Sequence, residues 1–352
     1  EFVVTSKMSR TLQQMLENNF DVVFMSEKNS RLSPQQTIQQ LVEGTRTTEF
    51  VYAGYTKKYV EGRVSSEAPE TAATDVHPVP LYKATTHFIS GSSMPFMLLL
   101  GSGGAGKTSA LVGCLCHLMR LKTRQARPLL PLFVSLPSVG AALHEPKGLD
   151  RHLQQQLRLD DETFAQMLTE VRVVLLLDSL DEVAAAPTNN NASILAQKLI
   201  DVNPWCSQVK VIVSCRTEML DAADANFKTV LSADSNQTQV YHVWPFNNAD
   251  RQTFMRQAAS DRIEELARRE AEEQYAKLRD TFQLTDKQLS HPCVLYIATK
   301  VLAKLGDNEV KDAHNMYTLY DNFVRGSLSS LSSAAVDKKK DDAAADVTEQ
   351  VL

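Results

Sequence analysis

The sequence predicts an α/β protein, a parallel sheet with crossover helices that is followed by a helical region without strands. Three observations carry that expectation. Short β-rich runs alternate with helical stretches through the middle of the chain, the order that produces parallel sheets. The runs around residues 97 and 174 are apolar without alternation, as strands buried on both faces must be. The earlier of these two opens directly into a loop almost without side chains, Gly101 to Ser109, GSGGAGKTS.

Taken in order, residues 1–65 read as amphipathic helix, with Met8, Leu12, Met15 and Leu16 at helical spacing. Residues 65–80, rich in Pro, Ala and Thr, read as a linker. Five strands are expected at 95–100, 131–136, 171–177, 209–214 and 239–244. A helix is expected to start near Lys107, with Leu111, Leu115 and Leu118 on one face. From about 247 the strands stop, and 259–283 is a charged helical stretch with acid–base pairs three or four residues apart. A second helical segment follows Pro292, and after Val324 the composition turns to Ser, Ala, Lys and Asp. The expected domains are therefore 1–80 (helical region and linker), 81–246 (sheet core), 247–313 (helical domain) and 314–352 (a further segment and tail).

Composition narrows the function. A chain of 352 residues with 43% apolar and 22% charged residues is long enough for two or three cored units. A net charge of -5 argues against nucleic acid as the main partner, since phosphate binding leaves a basic surface. No apolar run reaches the roughly 20 residues a membrane helix needs. The amino end, EFVVTSKMSR, lacks an initiating Met and the regions of a signal peptide, so the chain reads as a piece of something longer. The cysteines at 114, 116, 206, 215 and 293 are odd in number and mostly in apolar runs. That fits buried thiols of a reducing compartment, hence the cytoplasm, and makes the sequons at Asn191 and Asn236 chance matches.

The stretch Gly101-Ser102-Gly103-Gly104-Ala105-Gly106-Lys107-Thr108 fits G-x-x-x-x-G-K-[ST] in full, with Ser109 next. Glycines let the backbone turn through positive φ and bring its N–H groups around phosphate oxygens. The following helix adds free N–H groups and the positive end of its dipole. Lys107 can reach the β and γ phosphates, and the Thr108 hydroxyl can hold Mg²⁺.

About 70 residues further, VVLLLDSLDEV ends an apolar strand in Asp178, at the sheet edge where ligands of open α/β sheets sit. There Asp178 is expected to bind Mg²⁺ through water. Asp181 or Glu182 is expected to orient the attacking water and accept its proton; spacing does not say which. The bland alternative is a solvated first helical turn. The next strand, VKVIVSCRTEM, ends in Ser214, Cys215 and Arg216. Arg216 is expected to sense or neutralise the γ-phosphate, and Cys215 to be a small packing residue.

In this order the pieces resemble the NACHT family of signal-transduction NTPases of the STAND class. The resemblance rests on LLLGSGGAGKTS, PLFVSLPSV, LLLDSLDEV, VIVSCRTEM, VWPFNNADRQTF, LSHPCVLYIATKVL and MYTLYDNFV, from about residue 81 to 325. In the family the metal-binding Asp is usually followed by a small residue, commonly Gly; here it is Ser179. The resemblance implies a five-stranded parallel P-loop NTPase sheet in the order 5-1-4-3-2, with the arginine strand between the two phosphate-side strands. It also implies that Arg216 is the first sensor, that Pro292 packs near the adenine, and that Leu319 to Phe323 enters a winged helix. The family's winged-helix histidine, which contacts the β-phosphate and locks the ADP state, would fall beyond this sequence.

The expected function is a slow, Mg²⁺-dependent NTPase switch on ATP/ADP, with GTP as the other base. Nucleotide state would set conformation and self-association, and protein partners would act through effector and sensor regions outside this sequence. Two alternatives stand beside it: a P-loop phosphotransferase acting on a small acceptor, and a nucleotide-stabilised scaffold without turnover. The acids at 181–182 suit water activation better than phosphate transfer to an acceptor.

Overall fold

The computed structural model describes residues 33–47, 59–73, 75–121, 127–145, 147–184, 209–222, 237–258, 264–302, 316, 319–321 and 323. It divides into two compact units, 1–245 and 246–352. The first carries helix α1 (Pro34–Thr47), strands β1 (Arg63–Ser65) and β2 (Val79–Pro80), helix α2 (Leu81–Gly91), strand β3 (Phe96–Leu100) and helix α3 (Lys107–Arg120). Strand β4 (Leu129–Ser135) follows, then the short helix α4 (Leu136–Val139), a 3₁₀ turn, and helices α5 (Gly148–Leu157) and α6 (Asp161–Glu170). Strand β5 (Arg172–Asp178), helix α7 (Leu180–Ala184), strand β6 (Lys210–Cys215), helix α8 (Thr217–Ala222) and strand β7 (Thr238–Trp244) complete the unit.

All five expected strands form, and they pair in parallel in the order β7-β3-β6-β5-β4, which is 5-1-4-3-2 in core numbering. The arginine strand β6 lies between β3 and β5. The expected count of five is nevertheless corrected: among the described residues the sheet has seven strands, because β1 and β2 extend it antiparallel beyond β7. The stretch around 63–80, expected as the end of a helical region and a linker, supplies both. The physical reason is the open edge of β7, whose unpaired amides and carbonyls favour another strand. Val64 pairs across to Val243 and is buried against it. So short a strand shows little period in sequence.

The continuous apolar runs mean what they were expected to mean. Along β3 every residue is buried, and the side chains alternate between two clusters. Phe96, Leu98 and Leu100 join α1, α5 and α6 on one side; Met97 and Leu99 join α2 and α3 on the other. Strand β5 divides likewise, Leu175 and Leu177 one way and Val174 and Leu176 the other. The sheet is thus the middle layer of a three-layer stack. Helix α3 docks by Leu111, Cys114, Leu115 and Leu118, and its Gly113 faces the ring of Tyr59. A Cβ there would stand 2.5 Å from that ring, so the close approach requires glycine.

The second unit holds helices α9 (Asn248–Ala258), α10 (Glu264–Phe282), α11 (Asp286–Leu289) and α12 (Pro292–Leu302). Its core gathers Met255, Leu278, Phe282, Leu289, Leu295 and Ala298, with Leu319 fully buried among them. Thr285 and Gln288 form a capping box at the start of α11. Pro292 takes the first position of α12, where its missing N–H costs no hydrogen bond. The expected helix over residues 1–32, Cys206 and most of the expected winged helix and tail fall outside the described residues.

Candidate functional site

Three side-chain sources meet at the carboxyl edge of the parallel strands: the loop after β3, the end of β5 with α7, and the end of β6. Each arrives there because parallel strands send every βα connection to the same edge. The loop turns through positive φ at Gly104 (79°) and Gly106 (89°), the left-handed region that favours glycine. Gly106 is the residue before helix α3, so Lys107 and Thr108 stand at the helix start with the positive end of its dipole. Ser109 lies in the same first turn. Gly103 is exposed, and a Cβ on it would lie 3.6 Å from Nη1 of Arg216. The guanidinium therefore lies beside the loop, within van der Waals reach of this position. Ala105 closes the turn by donating its N–H to the Ser102 carbonyl at 3.2 Å.

Lys107 donates from Nζ to the carbonyls of Gly101 at 2.8 Å and Ser102 at 3.1 Å. Burial lowers its pKa, partly offset by the charge of Asp181. An ammonium held by two neutral carbonyls in a desolvated place is a strong attractor for an anion.

Asp178 is fully buried at the tip of β5 and hydrogen-bonded throughout. Thr108 Oγ1 donates to Oδ2 at 2.9 Å, Ser179 Oγ to the same oxygen at 3.2 Å, and Ser214 Oγ to Oδ1 at 2.7 Å. Burial pushes the carboxyl above its ordinary value, while those hydroxyls and the charge of Lys107 pull it back. The structure thus brings Thr108 and Asp178 into contact across 70 residues of sequence. One carboxylate and one hydroxyl are what Mg²⁺ takes from a protein when phosphates and water complete its shell, so this donor set fits that ion.

Asp181 and Glu182, adjacent in α7, have different neighbours. Asp181 accepts from Arg216 Nε at 2.9 Å, with only 11% of its side chain exposed. Burial raises the Glu182 carboxyl, and the charges of Asp181 and Asp178 raise it further. Cys215 is buried, its thiol pushed up to about 12 first by burial, which suits packing and not nucleophilic chemistry. Pro292 belongs to the chain's second unit, at the start of α12.

Two polar residues at the site received no role from sequence. Ser214 follows the apolar run Val211 to Val213 with 1% exposure, and a buried hydroxyl requires a partner, which was the available signal. Ser179 has φ 63°, the left-handed region. That conformation is the reason a glycine suits this position, and serine adopts it here while adding a donor to Asp178.

The sheet order, the phosphate loop and the acid at the tip of β5 define the class: a P-loop NTPase domain. Residues 96–262 match the family model of the NACHT domain, so the chain contains a P-loop NTPase domain of the NACHT type over that stretch. Among curated proteins, an uncharacterized WD repeat-containing protein of a Nostoc strain is 28% identical over 190 residues. That match covers 48% of this chain and 12% of the relative, so the chain spans about an eighth of that protein's length. Among solved structures, the chain is similar to a Walker-type ATPase of Pyrococcus abyssi, at TM-score 0.39 and 13% identity, covering 73% of this chain and 75% of that one. It is also similar to domain III of the Thermotoga maritima replication initiation protein DnaA, at TM-score 0.37 and 15% identity, covering 69% and 90%. Among the described residues, no helix is long and apolar enough to cross a membrane.

Proposed function

We propose that this domain is a nucleotide-operated switch that binds ATP, or GTP, with Mg²⁺ and hydrolyses it slowly, the nucleotide state governing conformation and self-association. The observation that carries the reading is the contact between Thr108 and Asp178 beside a lysine already held by loop carbonyls. The amides from Gly101 to Ser109 would cradle the phosphates, and Lys107 would meet the terminal ones. Thr108 and Asp178 would hold Mg²⁺, which supplies neutralisation of the charge shared between β and γ oxygens.

The different neighbours of the two acids support a reading in which their tasks differ. Asp181 holds Arg216 against the loop and so positions the sensor. Glu182, whose carboxyl burial raises above its ordinary value, accepts the proton of the attacking water. Pro292 is kept as the residue on the adenine side. Protein partners would read the switch through regions outside this sequence, and the WD repeats named for the Nostoc relative are one example of such a region. The cytoplasm remains the proposed compartment.

Calorimetry with ADP, ATP, GDP and GTP tests the reading. Lys107→Ala should weaken triphosphate binding at least tenfold, about 1.4 kcal/mol. Silence of the unaltered protein toward all four nucleotides would refute it.

A further inference from the structure

Asp178 would be a poor metal ligand if it were free to rotate, because a divalent cation with a strict geometry rewards a carboxylate already in place. The structure holds it from both oxygens. Ser214 Oγ accepts the Ser179 amide at 2.9 Å and donates to Asp178 Oδ1 at 2.7 Å. A hydroxyl has one proton, so an incoming N–H on its lone pair leaves that proton for the carboxylate alone. On the other oxygen, Thr108 and Ser179 both donate to Oδ2. Turning the carboxylate would break hydrogen bonds on both sides in a place closed to water, where a lost bond is not replaced.

We infer that Ser214 is a positioning residue for the cation, a hydroxyl on the neighbouring strand that fixes the Asp178 carboxylate, with Ser179 as its auxiliary brace. The two act together. The left-handed turn at Ser179 points its amide at Ser214, and its own hydroxyl reaches the opposite carboxylate oxygen. A glycine at 179 would take the turn with less strain but supply no hydroxyl. This inference rests on the nucleotide and Mg²⁺ reading above and extends it to residues outside the phosphate loop.

The test compares nucleotide affinity in Mg²⁺ with affinity in EDTA, by calorimetry on the unaltered chain and its variants. Ser214→Ala should lower the Mg²⁺-dependent gain about tenfold, the size seen when a partner of a metal ligand is removed. Its affinity in EDTA should stay within about twofold, because the loop is untouched, and Ser214→Thr, which keeps the hydroxyl, should restore the gain. Ser179→Gly should lower the gain by a smaller factor, about threefold, the size of one weak hydrogen bond, and it decides the matter should Ser214→Ala fail to fold. An unchanged gain in the folded variants overturns the inference, and so does a parallel loss in Mg²⁺ and in EDTA. If the unaltered protein binds nucleotide yet gains nothing from Mg²⁺, the cation role of Asp178 fails while the phosphate loop stands. If it binds no nucleotide at all, the underlying reading fails first.

Discussion

Both edges of the central sheet carry a pair of cations with a lysine held on backbone carbonyls, and only one edge looks like chemistry. At the carboxyl edge, Lys107 lies on the carbonyls of Gly101 and Ser102, and Arg216 lies beside the loop. At the amino edge, Arg172 donates to the Ile89 carbonyl and Lys210 to those of Ser92 and Met94, with the ammonium 4.9 Å from the centre of the Phe88 ring. The amino-edge pair closes the carboxyl end of helix α2, where carbonyls lack intrahelical partners and cations suit the dipole. Burial lowers the pKa of both. The difference lies in what surrounds them. Asp178, Asp181, Glu182 and the Thr108 hydroxyl interleave with the cations at the carboxyl edge, and turned glycines leave backbone open beside them. A buried lysine on carbonyls is a structural device until acids, hydroxyls and bare amides join it.

Substitutions at the two edges should separate accordingly. The largest effect is expected from Glu182→Gln, which should reduce steady-state phosphate release by roughly a hundredfold or more while nucleotide affinity holds. Turnover that persists undiminished would remove Glu182 from the reaction. Asp181→Asn should act through Arg216 and, because it leaves that cation in place but less firmly held, lower turnover by about tenfold, about 1.4 kcal/mol; equal loss in both variants would erase the division of labour between the acids. The pH profile sharpens the same point. A base must be ionised to work, so turnover should fall as pH drops through the Glu182 pKa, and that acid limb should lie above the ordinary glutamate value of about 4.3. A limb at or below that value would contradict the role. At the amino edge, Lys210→Met should leave nucleotide affinity unchanged and lower unfolding stability by about 1–2 kcal/mol, read from urea denaturation. A nucleotide effect there would dissolve the contrast between the edges.

The sequence displayed much of this site because its signals are local. The phosphate loop is contiguous, the acidic strand announces itself by an apolar run ending in Asp178, and the arginine strand by VKVIVSCR. What stayed hidden needed two strands side by side. Nothing in the spacing of 178 and 214 says that Ser214 would hold Asp178, or that Asp181 and not Glu182 would take Arg216. The added strands were hidden for a different reason: three and two residues carry too little pattern, and their pairing was decided by the bare edge of β7.

The amino-acid sequence by itself determined which segments become buried strands and where the backbone can turn tightly, because apolar runs and glycines act over a few residues. Tertiary structure alone decided which acid meets which cation and how the Asp178 carboxylate is held. Those contacts join residues 35 to 70 positions apart, and only the order of strands in the sheet brings them within a hydrogen bond of one another.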